Sequence, residues 1–122
     1  MELTSEKIGG GVVKYSFDWV SDGAGDVSGN LFGVIRGRII QVGFVPDSGG
    51  TQPTAAYDVL LNDVNDFDLL GGAGADLSNT LSTLTPVVTP LVFDGGQVDL
   101  VISNAGDGKG GIVSIWVGPL RP

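Results

Sequence analysis

Two residue types that carry much of protein chemistry are missing from this 122-residue chain, which has neither cysteine nor histidine. Without an imidazole or a thiol, the chain cannot build a histidine-activated serine or cysteine nucleophile, a thiol redox centre, a haem ligand or a zinc finger. A disulfide framework is excluded for the same reason. These absences remove the commonest catalytic and metal-binding constellations before any motif is considered.

Basic residues and long apolar runs are also scarce. Six Lys and Arg face fourteen Asp and Glu, which gives a net charge of −8, and because phosphate binding requires clustered cations we expect no nucleic-acid partner. The longest uncharged stretch, 77–93, contains Ser, Thr, Asn and two prolines, so it is too short and too polar to span a bilayer. The N-terminal segment MELTSEK lacks the apolar run of a secretory signal. We therefore expect a protein made in the cytoplasm and without a membrane partner.

Helix formers are few, whereas turn and strand residues are common. Only two of the fourteen acidic residues are Glu, and Gly occurs 21 times, a balance that favours strands and turns. Apolar and polar residues alternate in 13–19, 57–61, 98–102 and 113–117, which is the period of half-buried strands. These patterns predict a single all-β domain, a β-sandwich or jelly roll of seven to eight short strands, with at most one short helix, in 77–84.

The chain is expected to divide into an N-terminal arm and a sandwich domain. Residues 1–11 are mixed polar and end in three glycines, so we predict a flexible arm that orders on a neighbouring subunit. The sandwich then occupies 12–122.

Apolar residues between 34 and 45 do not keep one parity. Ile35 and Ile39 are at odd-numbered positions, whereas Ile40, Val42 and Phe44 are at even-numbered positions, which would lie on the opposite face of a regular strand. The change predicts either a β-bulge near Gly37 and Arg38 or a strand that moves from one sheet to the other there.

Three Gly- or Asp-rich segments approach known binding motifs. Residues 106–111, GDGKGG, match GxGxxG, but a strand follows them, which favours a hairpin loop over a dinucleotide site. Residues 71–79, GGAGADLSN, approach a calcium-binding nonapeptide, yet they occur once and carry Ser78 at the apolar position. The acidic run 63–68 lacks EF-hand spacing, so calcium there stays an alternative to a tight turn. No metal or cofactor is assigned.

The sharpest enzymatic alternative is Asp47-Ser48-Gly49, which is similar to the signature of homodimeric aspartic proteases. Two such chains would bring two carboxylates together to share one proton. Pro46 and Gly50 both depart from that signature, so we interpret the segment as a turn and expect no enzyme. A carbohydrate-binding module is a second alternative, with two Trp and two Tyr as stacking faces.

A series of short motifs runs in order through residues 42–79 and returns near the C-terminus. The series comprises Pro53-Thr54, Tyr57-Asp58, the Asp-rich turn 63–68, Leu69-Leu70, 72–78 and, later, 102–106 with 109–111. Together these motifs resemble a group of small proteins encoded among the virion-assembly genes of tailed bacteriophages. The resemblance covers roughly half of the chain, and it departs mildly at Gln52, at the 47–49 turn and at Asp66-Phe67.

This resemblance implies a structural β-domain of the virion, with no catalytic residues and no cofactor. The implied role is capsid decoration (cement) on the outside of the head, with a head–tail or tail accessory role as the alternative. The implied partners are the major capsid protein and further copies of the chain, as a trimer by analogy with the three-fold positions of icosahedral shells. A net charge of −8 suits a particle exterior, since packaged DNA would repel an acidic lining.

Candidate contact residues come from the last apolar strand and from the only local basic spot. Ile112 and Trp116 are expected on the same face of the last predicted strand, and the residues of its other face are apolar as well. A strand that is apolar on both faces is typical of a buried central strand or of an interface. Arg36 and Arg38 offer a charged contact. We predict these four residues as subunit or capsid contacts.

Overall fold

The strands were located in a computed structural model, which describes residues 2–32, 35–87, 92–93 and 97–119. These residues contain one short 3-10 turn, Gly49–Thr51, and nine strands, so the all-β prediction is confirmed. The strands are β1 Glu2–Gly9, β2 Val12–Val20, β3 Leu31–Phe32, β4 Gly37–Pro46, β5 Asp58–Asn62, β6 Thr83–Pro86, β7 Val92–Phe93, β8 Val98–Ser103 and β9 Gly110–Gly118.

The strands form two antiparallel sheets. The large sheet has the order β1-β2-β9-β4-β6, with β7 also paired to β4, and the small sheet has the order β3-β8-β5. Three of the strand pairs are nested in the sequence. Strand β2 pairs with the last strand, β9, while β3 pairs with β8 and β4 pairs with β7. This nesting is the pairing scheme of a jelly roll, a sandwich of two such sheets.

The core lies between the two sheets. Alternate residues of β2 point inward, so that Phe17 and Trp19 are buried as the period of two predicts. Phe17 packs edge-on against Phe32 with ring centroids 5.2 Å apart, and Trp19 lies 5.7 Å from the ring of Tyr57. These two aromatic pairs join the large sheet to the other layer, and each large buried side chain contributes about 1.5–3 kcal/mol of apolar transfer free energy.

The parity change in β4 is a bulge, and β4 stays in the large sheet. Ile39 pairs with Val117 and Gln41 pairs with Trp116, which leaves Ile40 as the extra residue. The predicted bulge therefore exists, but it lies at Ile40 rather than at Gly37 and Arg38. Because of this extra residue, Ile39 and Val42 both face the core despite their opposite parity.

One local prediction differs from the structure. Residues 2–9, expected as an arm, form edge strand β1, which pairs with β2 through a turn at Gly10 and Gly11. No helical turn forms in 77–84, where the Ser78 hydroxyl accepts hydrogen bonds from the N–H groups of Thr80 (3.2 Å) and Leu81 (3.0 Å). These contacts have the geometry of a helix N-cap, but residues 83–86 pair with β4 as strand β6, and the prediction of at most one short helix allows this.

Candidate functional site

The segment that carries the resemblance covers the free edge of β5. The Asp68 carboxylate accepts hydrogen bonds from the N–H groups of Leu61 (3.1 Å), Leu70 (3.0 Å) and Gly72 (2.9 Å). Farther along, the Val59 N–H donates to the Gly74 carbonyl at 2.7 Å. Residues 68–77 thus take the place of a fourth strand in the small sheet, and this stretch of the motif series has a structural role.

Gly74 shows why this segment contains glycine. A Cβ on Gly74 would overlap the carbonyl oxygen of Val59, so the close approach that covers β5 requires a residue without a side chain. Two residues later, the Asp76 N–H donates to Asp58 Oδ1 at 2.8 Å. Within the Gly-x-Gly-Ala-Asp sequence, Gly74 is therefore explained by its close contact with the backbone of β5.

The carboxylates of the acidic turns bind backbone N–H groups. Asp63 Oδ1 accepts from Asn65 (2.8 Å) and Phe67 (3.0 Å), and Asp22 Oδ1 accepts from Ala24 (2.9 Å) and Asp26 (3.0 Å). Such contacts are the usual reason for Asp in tight turns. Across the described ranges, no group of three or more acidic side chains is placed to hold a metal ion.

Asp47, the residue of the protease alternative, caps its own turn. Its Oδ2 accepts a hydrogen bond from the Thr51 hydroxyl at 3.0 Å, and its N–H donates to the Gly110 carbonyl at 3.1 Å. The Asp47 segment is thus tied to the start of β9, as the turn interpretation expects.

Ile112 and Trp116 lie together on the outer face of the large sheet, which points away from the sandwich core. Cross-strand pairing sets Ile112 beside Val45 and Asp18, and Trp116 beside Gln41 and Lys14. Large apolar side chains are exposed on this face or at its edge. Among them are Val20 (66%), Leu84 (60%), Val45 (43%) and Ile112 (36%).

A shallow hollow of about 190 Å³, here called the Trp116 groove, lies in this face. A Cβ on Gly43 would lie 3.3 Å from Trp116 Cζ3 and 3.6 Å from Leu84 Cδ1, so the missing side chain of Gly43 leaves the groove open. The Lys14 ammonium lies 5.1 Å from the Trp116 ring centroid, a cation–π distance. The groove is lined by Lys14, Gly43, Val45, Ser82, Thr83, Leu84, Ser114 and Trp116.

The two candidate arginines lie elsewhere, where β4 begins. Arg36 is exposed, and Arg38 is half-buried with its Nε donating to the Pro119 carbonyl at 3.0 Å. The structure thus brings two of the four predicted contact residues together in one surface. It adds Lys14, Gly43 and Leu84, which sequence reasoning missed because their proximity depends on strand register.

A second surface feature is the Phe67 loop, residues 63–67 after β5. Val64 is 70% exposed and Phe67 is 65% exposed. Beside them lies a hollow of about 230 Å³ lined by Asp63, Val64, Asp66, Gln97 and Asp99. In the sequence, Phe67 was noted only as part of an acidic run without EF-hand spacing and as a departure from the motif series.

Of the other aromatic residues, Trp19 and Tyr57 are buried. Burial raises the pKa of Tyr57 to about 12. Trp116 is half-exposed and is the Trp that a surface ligand would meet in the structure.

The described residues contain no helix long and apolar enough to cross a membrane. No family model and no curated protein matches the sequence.

Proposed function

We propose that the chain is a structural protein of a tailed-phage virion, a capsid decoration (cement) protein that binds the outside of the assembled head and stabilises it. The observation that carries the proposal is the exposed apolar surface around Trp116 on the outer face of the large sheet. Contiguous apolar surface on a water-facing sheet is typical of a protein–protein contact. The motif series gives independent support, because it resembles proteins encoded among virion-assembly genes.

The composition of the outer face suits a contact with protein. Its centre holds Trp116, Ile112, Val45 and Leu84, and interface centres are enriched in aromatic and depleted in charged residues. Strands β1 and β2 add a polar and charged side that includes Glu6. This arrangement of an apolar centre beside a polar rim is the usual anatomy of an interface.

Charge and assembly complete the proposal. The net charge of −8 keeps decorated particles apart, and it would be unfavourable next to packaged DNA. We propose that the chain acts as a homo-oligomer, a trimer by analogy with shell geometry. Its partners are further copies of itself and the major capsid protein, with Arg36 and Arg38 as the charged contact.

The alternatives predict different partners. A head–tail or tail accessory protein would bind tails rather than heads. A carbohydrate-binding module would stack a sugar on Trp116, the half-exposed Trp, and would give hits on a glycan array. An aspartic protease would cleave peptides at acidic pH and lose this activity in Asp47→Asn.

Co-sedimentation tests the proposal. Purified chain should pellet with expanded heads assembled without it, and should ignore unassembled capsid protein. Ile112→Ser should weaken this binding about tenfold, because it places a hydroxyl in an apolar contact. Leu60→Ser is the matched control, since Leu60 is exposed to a similar extent (39%) on the small sheet. A chain that copurifies with tails, or with no particle, would contradict the proposal.

A further inference from the structure

The Phe67 loop is a pre-shaped apolar projection. The Asp63 N–H donates to the Phe67 carbonyl at 3.0 Å and the Asp66 N–H donates to the Asp63 carbonyl at 3.1 Å. Asp63 Oδ1 adds its two hydrogen bonds from within the loop. These contacts fix the backbone while Val64 and Phe67 extend into solvent. A loop held in one shape loses little entropy when it binds.

The Trp116 groove has the complementary properties. Its walls are the apolar side chains of Trp116, Leu84 and Val45, and its volume of about 190 Å³ suits one large apolar side chain. The groove also carries the cation of Lys14, whereas the loop carries the exposed carboxylate of Asp66 beside Phe67. An apolar projection with a negative charge thus matches an apolar hollow with a positive charge.

A single copy cannot make this contact with itself. The Phe67 loop follows β5, a strand of the small sheet, whereas the groove lies on the face of the large sheet that points away from the small sheet. The two features therefore face different sides of the sandwich. A contact between two different surfaces is heterologous, and repeating such a contact gives a closed ring when the rotation closes.

We infer that the Phe67 loop of one copy inserts into the Trp116 groove of a second copy, and that this head-to-tail contact builds a cyclic homo-oligomer. The inference rests on the proposed function in one respect, since it names a second copy as the occupant of the surface assigned there to protein contacts. The Lys14 and Asp66 charges fix the orientation of the contact.

Mixing two complementary variants tests this contact. Phe67→Ser removes the projection and leaves the groove intact, whereas Gly43→Val fills the groove and leaves the loop intact. In light scattering, the wild-type chain should have the mass of a small closed ring, and each variant alone should be a monomer. An equimolar mixture of the two should form a dimer, because one working loop meets one working groove. Leu60→Ser should keep the wild-type mass.

A charge reversal gives a second readout that does not alter the packing inside the core. Lys14→Glu should raise the dissociation constant of the oligomer at least about tenfold at low salt. Lys7→Glu makes the same charge change on β1 and should have little effect.

The outcomes separate the two proposals. A wild-type monomer, an unchanged mass for Phe67→Ser, or a mixture that stays monomeric would overturn the loop-into-groove contact. A ring that fails to bind heads would overturn the proposed function and leave the contact intact. A monomer that binds heads would do the reverse.

Discussion

Single glycines allow the close backbone contacts of this sandwich. Gly74 lies against the Val59 carbonyl, and Gly37 lies against the Gly118 carbonyl with a φ of +137°; in both places a Cβ would overlap the neighbouring oxygen. Gly37 is therefore required both for its conformation and for space. These contacts hold the cover of β5 and the start of β4.

Gly74→Ala should lower the free energy of unfolding by about 2 kcal/mol, because the new methyl group must displace the Val59 carbonyl. Urea unfolding followed by Trp fluorescence measures this change. Gly23→Ala is the matched control, since a Cβ on Gly23 meets no atom within 4 Å. Equal losses for the two variants would show that the close approach does not contribute.

Tyr57 should make stability fall in strong alkali. Burial raises its pKa to about 12 in the folded chain, whereas an unfolded tyrosine has a pKa of about 10. Between these values the folded state keeps a proton that the unfolded state has released, so the free energy of unfolding falls as the pH rises. Well below pH 10 both states are protonated and Tyr57 has no effect. The fall should total about 2 kcal/mol by pH 12.

The control for this pH dependence is Tyr57→Phe, which has no ionisable group. Urea unfolding of both proteins from pH 8 to pH 12 should show a smaller alkaline loss for the variant. Parallel curves would contradict the assignment to Tyr57.

At the scale of side chains, the strand period predicts direction but not proximity. Alternation placed Phe17 and Trp19 inside, and it placed Ile112 and Trp116 on one face, because successive side chains on a strand point to opposite sides. The groove was not predictable, since Gly43 and Lys14 reach Trp116 through the register of three different strands.

Among the elements, the 68–77 segment is the least regular and depends most on one side chain. Asp68 supplies acceptors for three N–H groups, among them that of Leu61, which would otherwise stay unpaired at the edge of the small sheet. An unsatisfied buried N–H costs about 1–3 kcal/mol. One carboxylate thus does what a neighbouring strand would do.

Asp68→Ala should therefore destabilise the fold by about 3 kcal/mol, and Asp68→Asn should cost less, because its amide oxygen still accepts. Chemical unfolding gives the free energies, and Asp107→Ala in an exposed loop serves as the control. A loss for Asp68→Ala no larger than that of the control would show that this carboxylate does not hold the edge.

The longer strands β2, β4, β5, β8 and β9 were predictable as elements, whereas β1, β6 and the position of the bulge required the structure. Strand β1 has almost no buried side chains, so it lacks the apolar periodicity from which strands are recognised. Its partner β2 supplies the hydrogen bonds instead. The bulge was predictable from the parity change, but its position at Ile40 depends on pairing with β9.

For the whole molecule, the two exposed apolar features lie on different layers of the sandwich. The Trp116 groove belongs to the large sheet, and the Phe67 loop extends from the small sheet. Nothing in the linear sequence relates these features, because 49 positions separate Phe67 from Trp116. Only the nested strand pairing shows that they face apart and can connect successive copies.

Electron cryomicroscopy of heads assembled with and without the chain tests the central claim most directly. The decoration proposal predicts extra density on the outer surface of the expanded shell, at symmetry-related positions, into which copies of the sandwich fit. The outer face of the large sheet or the start of β4 should contact the shell or a neighbouring copy. Identical heads in the two maps, with the chain found in tails or in no particle, would contradict the claim.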